Sequence, residues 1–142
     1  GASLVDAGNL LWDLRIIKSP LEIEALRKAC DATTKAFERG FGSIRPGMTE
    51  RELAGVIMSE LSLQTEELPG FLMVRSGEIK YGMVNVQPFE KPMLPGELVV
   101  VDVGANYKHY WSDFMRMACI GPPSAEQRRA SRTPTEKDSI AS

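Results

Sequence analysis

Two carboxylates pose the chemical question in this chain. Asp102 and Asp113 stand eleven residues apart, each inside an apolar run. The first run is Leu98-Val-Val-Val-Asp-Val-Gly104, the second Trp111-Ser-Asp-Phe-Met-Arg-Met-Ala-Cys-Ile-Gly121, and the polar piece Ala105-Asn-Tyr-Lys-His-Tyr110 joins them. Apolar runs rich in strand-forming residues around a short polar segment read as an antiparallel hairpin. A turn centred on Tyr107 and Lys108 would set Asp102 directly opposite Asp113, on one face, with Cβ atoms about 5 Å apart. Two such charges repel by roughly 3 kcal/mol at an effective dielectric near 20. Leu98 and Val100 share parity with Asp102, and Trp111, Met115 and Met117 share parity with Asp113, so that face is otherwise apolar. Spacing leaves two readings open. The pair is half of a metal site, where a cation answers the repulsion, or it decorates a solvated hairpin whose register is shifted by one, sending the side chains to opposite faces.

The elements that would hold this hairpin are legible upstream. Ser19-Pro-Leu-Glu22 supplies an N-cap serine, a proline at the first helical position and a glutamate three residues after the cap. The apolar set Ile23, Leu26, Cys30 and Phe37, with Ala29 and Ala36 alongside, follows helical spacing to an end near Gly40 or Gly42. Arg45-Pro-Gly-Met48 reads as a type II turn. A second capping box, Thr49 to Glu52, opens a helix whose buried face is Leu53, Val56, Ile57 and Leu61 and which runs to about Ser62. Phe71 to Val74 is a short buried strand closed by Ser76-Gly77. Between Glu78 and Gly96 three prolines and weak periodicity predict a weak strand around Met83 to Val86 and then a loop. Pro95-Gly-Glu97 turns the chain into the hairpin.

Composition excludes several classes. A chain of 142 residues with 43% hydrophobic and 25% charged residues has the makeup of one ordinary globular domain. A net charge of -2 gives no basis for nucleic-acid binding. No apolar run approaches the ~18 residues of a membrane span, and the first residues lack the basic start and apolar block of a signal peptide. Cys30 and Cys119, far apart in apolar settings, read as buried free thiols of a reducing compartment, so the expected location is cytoplasmic. Residues 1–18 read as a connector, a short helix turning into an extended segment. Residues 122–142 read as a polar, disordered tail, although Ser124 to Gln127 could cap a helix.

Several blocks carry a family resemblance. Arg15-Ile-Ile-Lys-Ser-Pro-Leu-Glu-Ile-Glu24, Arg45-Pro-Gly-Met-Thr-Glu50 and Pro95-Gly-Glu-Leu-Val-Val-Val-Asp-Val-Gly104 occur in that order. They resemble the catalytic domain of the Xaa-Pro peptidases: the pita-bread superfamily of prolidase, aminopeptidase P, methionine aminopeptidase and creatinase. The resemblance covers about residues 10 to 129. It implies a hydrolase with two divalent ions (Mn, Co, Zn or Fe) held by two aspartates, a histidine and two glutamates, acting on proline-containing peptides through an activated water. Asp102 matches the first aspartate of that set and Asp113 the second, at the family's own separation. Asn85 matches a position where many members carry a substrate-binding histidine. Arg116 matches too. Met115 stands where the family often has a threonine, and lacks its hydrogen-bonding capacity. Creatinase lacks these aspartates, so keeping both argues against creatinase-like chemistry.

The remaining ligands of the family, and its general base, lie beyond the stretch matched here. His109, the single histidine, falls at the hairpin tip and reads as an exposed loop residue. The expected fold is therefore α+β, half of a pita-bread domain over residues 19–121, with amphipathic helices packed on a largely antiparallel sheet. The expected function is that of a metal-dependent Xaa-Pro peptidase relative, truncated and inactive as this chain, with no catalytic residue assigned. The alternative is a non-catalytic relative serving as a binding or assembly module. Either reading leaves an apolar sheet edge and face, which predicts self-association.

Overall fold

Capping chemistry starts the helices where the sequence places them. The computed structural model describes residue 2 and residues 4–65, 71–77 and 87–131. In the connector, α1 (Gly8–Ile16) begins where Asp6 Oδ1 accepts the Gly8 N–H at 2.8 Å, and it buries no residue. α2 (Pro20–Ser43) starts on the Ser19–Glu22 box, with Glu22 Oε2 accepting the Ser19 N–H at 2.7 Å. α3 (Glu50–Gln64) starts on the Thr49–Glu52 box, with Glu52 Oε2 accepting the Thr49 N–H at 2.7 Å. Between α2 and α3 the expected type II turn is present, Gly47 at φ +84° and the Met48 N–H donating to Arg45 O.

The buried stripe of α2 differs from the one periodicity suggests. Ala25, Ala29, Ala32, Thr33, Ala36, Phe37 and Gly40 are buried, whereas Ile23 is exposed and Leu26 and Cys30 are only partly covered. Small residues win because α3 packs closely: a Cβ at Gly40 would stand 2.6 Å from Ile57 Cγ1. Gly40 is thus a packing glycine inside the helix, which ends one residue past Gly42, near where it was expected. The hydroxyl of the last residue, Ser43, donates to Gly40 O at 2.7 Å, and Ile44 caps the helix in extended conformation.

The sheet is three-stranded and antiparallel, in the order β1 (Phe71–Ser76), β2 (Leu98–Gly104), β5 (Phe114–Cys119). Val74, Val99, Val101 and Val103 pack with Ala36, Phe37, Leu53, Ile57 and Leu61 in one core, so the helices cover one face of the sheet. Beyond β2 the hairpin narrows to a ribbon, β3 (Asn106–Tyr107) paired with β4 (Tyr110–Trp111). Its turn residues are Lys108 and His109, both at positive φ (50° and 67°), one position later than the turn expected from the sequence. Two successive left-handed residues make a two-residue turn whose twist matches that of the strands it joins.

The chain after Pro122 begins with order rather than with a disordered tail. α4 (Ala125–Ala130) is capped by a Ser124–Gln127 box, and Gln127 Nε2 donates to Gly96 O at 2.9 Å. Local capping, the tie to the turn before β2 and a contact from the Cys119 thiol to Gln127 Oε1 hold a segment that buries none of its own side chains. Residues 132–142 and the weak strand expected at Met83 to Val86 lie outside the described residues.

Candidate metal centre

The later turn moves the hairpin register by two residues. Asp102 faces Met115 on β5 and Met73 on β1, not Asp113. A two-residue shift preserves the face, because side chains alternate with period two. Asp113 thus becomes the diagonal neighbour of Asp102, at a separation of about 7–8 Å, with the Cβ atoms somewhat closer, by strand geometry. The structure keeps both carboxylates on the face turned away from the helices and corrects only their pairing.

The residues directly opposite Asp102 on that face are apolar, while Arg75, opposite Val100, turns its guanidinium to Glu50 and Gln87 O. Val100, beside Asp102 on β2, is buried and pairs with Met117, while Met115 and Met117 are each 54% exposed. Asp102 is half-buried and Asp113, between β4 and β5, is exposed. Burial raises the Asp102 carboxyl above its ordinary range, and the Asp113 charge raises it further. Among the described residues, neither carboxylate has a hydrogen-bond or ion-pair partner. Two unanswered oxygen ligands on one face suit a hard or borderline divalent cation. No group of three or more His, Cys, Asp or Glu side chains gathers among the described residues. His109 is exposed at the turn. Asn85 lies outside the described residues. Cys30 and Cys119 are free thiols, each partly rather than fully buried.

The backbone that carries Asp113 is fixed from behind, by residues the sequence did not single out. The Ala105 N–H donates to Ser112 Oγ at 3.0 Å, and the Ser112 N–H donates to Ala105 O at 3.0 Å. Ser112 Oγ lies 2.6 Å from Thr33 Oγ1 on α2, and the Thr33 hydroxyl donates to Ala29 O at 3.0 Å. Gly104 lets this happen: a Cβ there would stand 2.8 Å from the Ser112 carbonyl oxygen. A threonine on a buried helical stripe and a serine beside an aspartate are too common to signal this in a sequence.

Comparison with known proteins agrees with the fold. Residues 24–135 match the model of metallopeptidase family M24. The Xaa-Pro dipeptidase of Pyrococcus furiosus is 36% identical over 124 residues, covering 84% of this chain and 34% of that protein. The Xaa-Pro aminopeptidase of Escherichia coli is 34% identical over 116 residues, covering 81% of this chain and 26% of that protein. The solved prolidase of Pyrococcus furiosus superposes with a TM-score of 0.77 at 35% identity, covering 85% of this chain and 36% of that one. The X-Pro aminopeptidase of Thermotoga maritima gives 0.75 at 30%, covering 85% and 34%. The chain spans between about a quarter and a third of the length of these relatives. The α+β architecture, its pita-bread neighbours and the matched stretch agree: the chain belongs to metallopeptidase family M24.

Proposed function

We propose that Asp102 and Asp113 are two ligands of a two-metal centre that hydrolyses the peptide bond next to proline, and that this 142-residue chain alone lacks that activity. The observation that carries the reading is the pair itself, two neighbouring carboxylates on one sheet face that have no hydrogen-bond or ion-pair partner among the described residues. Mn, Co, Zn or Fe would be held by their oxygens. Such ions, when bound, activate water for attack and polarise the carbonyl under attack. Buried Val100 and half-buried Met73 shield one side of Asp102, while Met115, Met117 and Asp113 stay open to solvent. Asn85 is the proposed contact to the proline-containing peptide. Residues 19–121 form one half of a pita-bread domain and residues 1–18 its connector. The two free thiols suit a cytoplasmic setting.

Mn2+ titration, following the electron paramagnetic resonance of the free ion, tests the site. The expected result is one weakly held ion, lost in Asp113→Asn. Micromolar binding of two ions would show a complete site and overturn the claim of a half. An Xaa-Pro dipeptide assay with added Mn2+ should show no turnover; robust turnover abolished by Asp102→Asn would overturn the claim that the chain alone is inactive.

A second reading, a non-catalytic binding or assembly module, rests on a separate observation. β5 is an edge strand of the described sheet, with Met115 and Met117 facing solvent, and an apolar groove of about 510 Å3 runs along it to α4. Leu10, Leu11, Trp12 and Leu14 of α1 are exposed as well. The occupant we assign is a second copy of this chain. Sedimentation velocity across a concentration series should show a dimer; a single monomeric species at every concentration would remove this reading.

A further inference from the structure

The bonds behind Asp113 form one directed chain. Thr33 Oγ1 has one hydrogen, and it goes to Ala29 O. The 2.6 Å contact to Ser112 Oγ must then be donated by Ser112, whose oxygen in turn accepts the Ala105 N–H. The order is Ala105 N–H to Ser112 hydroxyl to Thr33 hydroxyl to Ala29 carbonyl, from β-ribbon to helix, with every donor used. Thr33 and Ser112 are both buried. A satisfied buried chain is strong and directional, because each bond polarises the next in a low dielectric. Its location is specific. Ser112 and Asp113 lie between β4 and β5, and the Ser112 carbonyl presses on Gly104 at the end of β2. The peptide that carries Asp113 is therefore held from the helix layer.

We propose that Thr33 and Ser112 are positioning residues for Asp113, a clasp by which α2 fixes where that carboxylate stands beside Asp102. Neither reaches the ligand. They act through the backbone, as groups behind a metal ligand do when they restrict its orientation. The inference rests on the proposed metal reading, and its test separates the two. Mn2+ affinity is measured on the folded 142-residue chain by the same resonance titration, for the native protein and for Thr33→Val, Thr33→Ser and Ser112→Ala.

Thr33→Val keeps shape and removes the acceptor of the Ser112 hydroxyl; it should weaken Mn2+ binding about tenfold, within the range found when support behind a metal ligand is lost. Thr33→Ser, which keeps the hydroxyl, should stay near native affinity. Ile57→Val, on α3 and away from the hairpin, lowers stability without touching the clasp and should bind Mn2+ as the native chain does. If Thr33→Val binds like native while Asp113→Asn does not bind, the clasp is overturned and the metal reading stands. If Ile57→Val weakens binding as much as Thr33→Val, the effect is general stability and the clasp is again overturned. If the native chain binds no Mn2+, the metal reading fails and takes the clasp with it. Should Thr33→Val not fold, Ser112→Ala breaks the same bond from the other side and carries the same expectations.

Discussion

Two sets of acidic groups in this molecule sit in opposite circumstances. Glu50, at the start of α3, is 1% exposed, and both its oxygens are fully answered. Oε1 accepts the Ser76 N–H at 2.9 Å and the Ser76 hydroxyl at 3.1 Å; Oε2 accepts the Phe89 N–H at 3.1 Å and Arg75 Nη1 at 3.2 Å. Arg75 also donates to Gln87 O at 2.7 Å and lies over the Phe89 ring. Asp102 and Asp113 are less buried, yet they have one another for a neighbour and no donor among the described residues. A carboxylate that serves the fold is enclosed by donors, because an unpaired buried charge is too costly to keep. One that is left facing its own kind is stabilised only when something else arrives.

The largest expected effect tests the enclosed member. Glu50→Ala strips two backbone N–H groups and one hydroxyl of their acceptor and takes a charged partner from Arg75. It should cost about 3–5 kcal/mol, the range for breaking a buried charge pair from one side. That is a large share of the stability of a small domain, and urea denaturation would read it. A loss below about 1 kcal/mol would mean that water replaces the carboxylate freely and that Glu50 is not the anchor of this corner.

A middle-sized effect connects the two regions. Gly104→Ala puts a methyl group 2.8 Å from the Ser112 carbonyl oxygen, a backbone atom that cannot swing aside. Overpacking of this kind costs about 1–3 kcal/mol. Since the displaced peptide carries Asp113, Mn2+ affinity should fall as well. Stability lost with unchanged affinity would show that the hairpin absorbs the strain away from the carboxylate.

What the sequence made legible follows from how local each signal is. Capping boxes at Ser19 and Thr49 and the turns at Gly47 and Gly96 are decided within four residues, and each stands where it was expected. The carboxylates' shared face was one of two readings the sequence left open, since a one-residue slip would have parted them, and the observed register decides it. Their pairing was not legible, because it depends on which two residues form the turn. Lys108 and His109 adopt positive φ without being glycine, a conformation that sequence alone gives little reason to assign there. Glu50, Thr33 and Ser112 were missed because their partners lie 26, 79 and 79 residues away. The family blocks located the candidate ligands; the contacts that hold them required the fold.

The smallest expected effect has the opposite sign, and it is the sharpest test of the comparison. Asp102 has its carboxyl raised above the usual 3.8, by burial first and by Asp113 second. Between 3.8 and that raised value the folded chain keeps a proton that the unfolded chain has released, so the contribution of Asp102 to stability falls as pH rises through this window. Above it the penalty is complete. Asp102→Asn removes the charge, so the variant should be more stable than native at pH 7, by up to about 1 kcal/mol, the scale of cross-strand charge effects. The gain should vanish below pH 3.8. Glu22 and Glu52, both lowered by the backbone N–H groups they cap, lose stability as pH falls. They do so in both proteins, which cancels them in the difference. Paired urea titrations across pH would measure it, and a less stable Asp102→Asn at neutral pH would contradict the account of an unanswered pair. Adding Mn2+ should then reverse the order. Only the native chain gains from an ion bound to its folded form, by an amount that grows with the logarithm of ion concentration above Kd, so the substitution that helps the metal-free chain should forfeit the ligand's contribution.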